Sequence, residues 1–106
     1  MNLHRDLAYS EIAGHLLVVL REALSNAARH AAASRVDVTV QAGLDLLLVV
    51  RDNGIGLGRS GRRSGLANLE ERALLLGGTF SVGPAGDAGT ELRWQVPLGK
   101  ASSPAG

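Results

Sequence analysis

The chain has 106 residues, enough for one domain with a modest core. Its composition, 45% hydrophobic and 20% charged, is that of a globular chain, and a formal net charge of +1 gives no electrostatic case for nucleic acid or an anionic membrane. There is no cysteine, which excludes disulfides and thiolate metal sites, and no apolar run approaches the roughly 18 residues of a membrane span.

Residues 1–9 read as a lead-in, in which His4, Arg5 and Asp6 are ordinary solvated side chains. From Ser10 to about Ala33 the pattern predicts a long helix, with Ser10 as its cap and no Pro to interrupt it. At about 100° per residue, Ala13, Leu16, Leu20, Leu24, Ala27 and Ala31 share one face, the predicted core side. Glu22, Asn26 and Arg29 fall close to the opposite side. Glu22 and Asn26 are one turn apart and both offer oxygen, as a hard cation such as Mg²⁺ requires. Arg29 continues the row with a cationic fork suited to phosphate. A solvated polar face accounts for the same three residues.

Arg35 to Gln41 alternates, with Val36, Val38 and Val40 against Asp37, Thr39 and Gln41, and predicts a half-buried strand. Ala42-Gly43 makes a tight connection to a nearly continuous aliphatic run, Leu44 to Arg51, which predicts a central strand antiparallel to the first. That run ends in Asp52, followed by Asn53 and the alternating glycines Gly54, Gly56 and Gly58. An acid at the end of a buried strand, facing a backbone without side chains, suits a small polar ligand; a strand followed by an Asp-Asn-Gly turn is the plainer alternative. The segment through Ser64 carries Arg59, Arg62 and Arg63 among glycines and reads as a mobile, phosphate-seeking loop.

A second helix is predicted from Gly65 to about Leu76, with Leu66, Leu69, Ala73 and Leu76 on one stripe and Gly77-Gly78 as its stop. The loop thus delivers a helix start, where free backbone N–H groups can meet an anion. Thr79 to Val82 is a short strand, followed by a turn around Pro84. Thr90 to Val96 alternates, with Thr90, Leu92, Trp94 and Val96 on one face, and Gly89 stands before it where a backbone can lie close to a ligand. From Gly99 the small-residue tail reads as flexible. The order helix, two strands, loop, helix, two strands predicts an α/β two-layer sandwich, its sheet mixed and mostly antiparallel, with the helices on one face.

No Walker-type glycine run ending in Gly-Lys-Ser/Thr is present, and the Gly-x-Gly-x-Gly of residues 54–58 does not lead at once into a helix. Four segments instead come in order. They are Glu22-Ala-Leu-Ser-Asn26-Ala-Ala-Arg29-His30, then Asp52-Asn-Gly54-Ile-Gly56, then Gly65-Leu66-Ala-Asn68-Leu-Glu-Glu-Arg72, and last Gly89-Thr90-Glu-Leu-Arg-Trp-Gln-Val-Pro. They resemble the N, G1, G2 and final glycine boxes of the GHKL superfamily, specifically the ATP-binding domain of NarL-type sensor histidine kinases, over roughly residues 16–98.

The resemblance implies a Bergerat-type ATP-binding fold spanning residues 10–98, with a lid at 57–65, a lead-in at 1–9 and a tail at 99–106. It implies that Asn26 coordinates Mg²⁺ with Glu22 beside it, and that Arg29 and His30 face the phosphates. Asp52 would accept a hydrogen bond from the adenine amino group. Gly54, Gly56, Gly65 and Leu66 would border the nucleotide, and Thr90 would support the adenine end. It implies a cytoplasmic kinase domain that passes the γ-phosphoryl of ATP to a histidine on a separate dimerisation domain, with a response regulator downstream and no contact with nucleic acid or membrane. Such a domain usually has a strand before its first helix, and residues 1–9 are a poor candidate for it. A nucleotide-responsive regulatory module, a GHKL ATPase and an anti-sigma-factor kinase are the alternatives.

Overall fold

Helix α1 (Leu3–Arg29) begins at Leu3 rather than at Ser10, which lies exposed inside it. The stretch from Leu3 to Ala13 has no Pro or Gly and is rich in Leu, Ala, Arg and Glu, so nothing in the sequence stops the helix from extending. The computed structural model describes residues 3–29, 34–54, 62–86 and 89–98, and within these all side chains except those of 3–9, 29 and 62–64. The elements after α1 are β1 (Val36–Ala42), β2 (Asp45–Asp52), α2 (Arg62–Leu75), β3 (Thr79–Pro84) and β4 (Thr90–Pro97).

Helix α2 starts before Gly65, because residues 62–64 contain no glycine and propagate the helix backward; that takes them out of the loop expected at 57–65. Residues 57–61 of that loop lie outside the described residues, as do Gly56 and the tail from 99. At its other end α2 stops as Gly77-Gly78 predicts. Gly77 has φ +79°, its N–H donates to the Leu74 carbonyl, and the Gly78 N–H donates to the Ala73 carbonyl at 2.7 Å, which is a Schellman cap.

The four strands form one sheet in the order β1-β2-β4-β3, and every neighbour is antiparallel rather than mixed. Both helices pack on one face, α1 over β2 and α2 over β3 and β4. Leu48 and Trp94 are paired across β2 and β4 and are fully buried, together with Leu69 of α2 and Val19 of α1. Leu46, Leu48 and Val50 point to the helices and are buried; Leu47 and Val49 point to the open face and are half-buried, so β2 is central but covered on one side. All four residues predicted for the inner face of β4, Thr90, Leu92, Trp94 and Val96, are buried.

Two burial expectations fail. The buried line of α1 is Val19, Ala23 and Ala27; Ala13 and Leu24 are exposed, and Glu22 and Asn26 are half-buried. The helix is turned because α2 lies along one of its flanks as well as the sheet beneath it. Strand β1 is expected to be half-buried, yet Val38 is 43% and Val40 50% exposed. They sit on the helix side of the sheet, but α1 packs chiefly over β2, and of the β1 valines Val36 is the one packed against the core.

Replacing Leu69 by Ala should lower stability by about 2–5 kcal/mol in denaturant titration, because its side chain fills the junction of α2 with the sheet. Leu74→Ala, on the exposed side of the same helix, should stay within about 0.5 kcal/mol. Equal losses would mean that α2 is seated differently.

Candidate functional site

The site lies where α1, the end of β2, the first turns of α2 and the start of β4 meet. On α1, the small Ala23 allows close approach to the sheet, and Asn26, three residues on, turns toward the same opening. On β2, Val50 is buried and Asp52, two residues later on the same face, reaches the strand's end half-buried. The chain then turns. One oxygen of Asp52, Oδ1, accepts the Gly54 N–H at 2.8 Å, an Asx turn that fixes the carboxylate, and Gly54 itself is buried.

Strand β4 arrives beside Asp52, which pairs with Thr90. Gly89 makes that possible. Its φ is +96°, and a β-carbon there would stand 3.0 Å from the Asn53 Cα and collide with the Asp52 carbonyl. The close approach expected at Gly89 is therefore to the chain's own backbone. The hydroxyl Oγ1 of Thr90 is buried and has no hydrogen-bond partner among the described residues.

These residues enclose a narrow cavity of about 20 Å³, lined by Ala23, Asn26, Val50, Asp52, Leu66, Val82, Thr90 and Leu92. About 10–15 Å³ holds one water molecule, so a larger ring enters only if the lining opens. The lining is chemically divided. Apolar side chains offer flat contact surface, while Asp52 supplies an acceptor, Thr90 a hydroxyl and Asn26 an amide.

Of the residues singled out in the sequence, Asn26, Asp52, Leu66 and Thr90 meet at this cavity. Glu22 stands outside it, one turn before Asn26, with its carboxylate against Gly65, where an added β-carbon would strike Glu22 Oε2. Glu22 also borders a shallow groove with Val18, Arg21 and Ser25. The Arg29 side chain, His30 and Gly56 lie outside the described residues. Among the described residues, no group of three His, Asp or Glu side chains is arranged to hold a metal by itself.

Two contributors escape sequence reading. Asn53 Oδ1 accepts the N–H groups of Ser34 and Arg35, each at 3.0 Å, and its Nδ2 donates to Ser34 Oγ at 3.0 Å. It fastens the entry to β1 against the turn that holds Asp52. The other is Arg72, whose Nη1 meets His15 Nδ1 at 2.8 Å and ties α2 to α1. The half-burial of His15 agrees with a packing role.

Residues 12–100 match the model of the family described as "Histidine kinase-, DNA gyrase B-, and HSP90-like ATPase". The chain is 36% identical over 99 residues to the sensor protein VraS of Staphylococcus epidermidis, covering 90% of this chain and 28% of that protein. It is 38% identical over 96 residues to VraS of Staphylococcus aureus strain COL, covering 87% of this chain and again 28% of the relative. Among solved structures, the ATP-binding domain of PrrB from Mycobacterium tuberculosis superposes with a TM-score of 0.62 at 21% identity, over 79% of this chain and 67% of that one. The chain belongs to the histidine kinase-, gyrase B- and HSP90-like ATPase family. It spans a little over a quarter of the length of these curated relatives. No described helix is long and apolar enough to cross a membrane.

The unpartnered Thr90 hydroxyl gives a test that needs no ligand. Thr90→Val keeps the shape and removes a buried polar atom, so stability should be unchanged or rise by about 1 kcal/mol. A loss above about 1 kcal/mol in thermal or denaturant unfolding would mean that the hydroxyl is satisfied inside the protein.

Proposed function

We propose that this chain is the ATP- and Mg²⁺-binding catalytic domain of a sensor histidine kinase, acting in the cytoplasm and presenting the γ-phosphoryl of ATP to a histidine on a separate dimerisation domain, with a response regulator downstream. The observation that carries this reading is the joint placement of Asn26, Asp52 and Thr90 at one apolar-walled cavity in a chain of this family.

Asp52 is the adenine reader. With Oδ1 engaged by the Gly54 N–H, the other oxygen is left to accept the exocyclic amino group of adenine. Guanine presents a carbonyl there, which repels a carboxylate, and sites built on such a hydrogen bond discriminate by about 10⁴ or more. Thr90 supports the same end of the base, while Val50, Leu92, Ala23 and Leu66 take its faces. Gly54 and Gly56 let the backbone pass the nucleotide, and Gly65 leaves room for the Glu22 carboxylate.

The phosphates extend from the cavity toward Asn26 and, beyond it in the sequence, Arg29 and His30, with the part of the expected lid that precedes α2, residues 57–61, folding over them. Asn26 and Glu22 fit Mg²⁺. They offer two oxygens one turn apart, and Mg²⁺ commonly takes one or two protein oxygens and completes its shell with phosphate and water. When bound, the ion neutralises phosphate charge; Asn26 and Glu22 fix its place, and Arg29 adds a fixed positive charge. Phosphoryl transfer asks mainly for positioning and charge neutralisation, which these side chains supply. Nucleic acid and membrane play no part in this reading.

Calorimetric titration with ADP and a non-hydrolysable ATP analogue, with and without Mg²⁺ and with GTP as control, tests it. Adenine-selective, Mg²⁺-assisted binding is expected; a folded chain that binds neither nucleotide would leave only a regulatory module. Asp52→Ala should abolish adenine-nucleotide binding while the circular dichroism spectrum is kept, and unchanged affinity would remove Asp52 from the site. Asn26→Ala should cost about 10-fold or more in the presence of Mg²⁺ and little in its absence. Equal losses under both conditions would deny Asn26 a metal role.

A further inference from the structure

We infer that Asn53 is the positioning residue for Asp52. Its side chain sets the turn that aims the carboxylate, and so sets how sharply the site tells adenine from a base with a carbonyl in the same place. In the proposed function, on which this role rests, Asp52 reads the adenine amino group. Asn53 is exposed and does not line the cavity, so it acts through its neighbour and not on the base.

The bonds of Asn53 all run to one short segment. Its backbone N–H donates to the Arg35 carbonyl at 3.3 Å, one step past the last rung of the β1–β2 ladder, Val36 with Asp52. Its Oδ1 accepts the N–H groups of both Ser34 and Arg35, and its Nδ2 donates to Ser34 Oγ, all at 3.0 Å. The side chain thus takes the place that a further backbone rung would have, and the main chain is released to turn. Both acceptor sites of the amide oxygen are filled, and one N–H of the amide is used, so the side chain has a single orientation.

That orientation controls the next peptide. Pinned at its N–H and at its side chain, the Asn53 Cα is fixed in space. With it is fixed the direction in which the chain leaves toward the Gly54 N–H, the group that holds Asp52 Oδ1 at 2.8 Å. On the other side of Asp52, β4 is a second anchor. Thr90 pairs with Asp52, and Gly89 comes so close that a β-carbon there would stand 3.0 Å from the Asn53 Cα. Asp52 is held between β1 and β4, and the β1 anchor can be removed without touching the cavity lining. Its bonds are exposed, so water replaces them at small cost to the fold, and what they contribute is the direction of Asp52.

ADP and inosine diphosphate separate this role from a merely structural one, because they differ at the ring position that Asp52 reads, an amino group in one and a carbonyl in the other. In calorimetric titration the natural chain should prefer ADP. Asn53→Ala should cut that preference about 10-fold or more by weakening ADP, with inosine diphosphate affinity and the Mg²⁺ dependence little changed. Asn53→Gln sets the amide one carbon further out and should do the same, which keeps the test open if the alanine variant does not fold. Asn53→Asp can accept from the same two N–H groups and from the Ser34 hydroxyl, and should keep the preference within about 3-fold. Hydrogen exchange reads the turn with no ligand present. The protection factor of the Gly54 amide should fall about 10-fold or more in Asn53→Ala, while those of Leu48 and Val50 within the sheet stay as they are. A natural chain without a preference for ADP would sink the adenine reading and this role with it. A natural chain that has the preference, beside an Asn53→Ala variant that keeps it or weakens both ligands alike, overturns this role alone. So does a Gly54 amide equally protected in the two chains.

Discussion

The pairing of β2 with β4 is the constraint on which the rest of the structure depends. The two strands are far apart in the chain and meet at the centre of the sheet, with Leu48 against Trp94 in the core and Asp52 against Thr90 at one end. That last rung creates the site, because it sets a carboxylate and a hydroxyl side by side at the mouth of an apolar slot. The rung forms because residue 89 has no side chain: with φ +96° the backbone turns tightly into β4, where a β-carbon would strike the Asp52 carbonyl. Because β4 takes the place next to β2, β3 is pushed to the outer edge and α2 bridges over both.

Much of this is legible in the residues. Alternation over Thr90–Val96 names the inner face of β4 without error, because a strand has only two faces and one is apolar apart from Thr90. Gly77-Gly78 names the end of α2, and the abrupt end of the aliphatic run at Asp52 names the acid. The face of α1 is harder to read. Leu, Val and Ala occupy most of its circumference, so the helical period selects no single stripe. What selects it is a flank contact, His15 with Arg72 and Glu22 with Gly65, between residues far apart in sequence. For the same reason Glu22 and Asn26, which pass for a solvated row in the sequence, are half-buried.

Burial of β1 is likewise a property of what lies above it. The pattern of Val36, Val38 and Val40 says which face is apolar; it does not say whether a helix covers that face, and α1 lies over the neighbouring strand. Asn53 escapes for a related reason. Asp-Asn-Gly predicts a local turn, and the Asp52–Gly54 bond is that turn, but the Asn53 side chain works at long range on Ser34 and Arg35. Long-range side-chain bonds of this kind carry no periodic signal.

Under the proposed function, these contacts bear on how a lone carboxylate at a strand end would read a base. A carboxylate on a free side chain rotates and offers either oxygen to any donor. Here the Gly54 N–H occupies one oxygen, the turn carrying it is tied by Asn53 to the start of β1, and β4 closes against the Asp52 backbone through Gly89. The remaining acceptor is therefore fixed in direction before a ligand arrives. In the proposed function its direction and charge matter more than its strength. A fixed, negatively charged acceptor at the edge of an apolar slot would favour an amino group and penalise a carbonyl in the same place, since the carbonyl would leave the half-buried carboxylate oxygen without a donor. In that proposal the selectivity would come from the rigidity of the backbone around Asp52, supplied by two glycines and an asparagine.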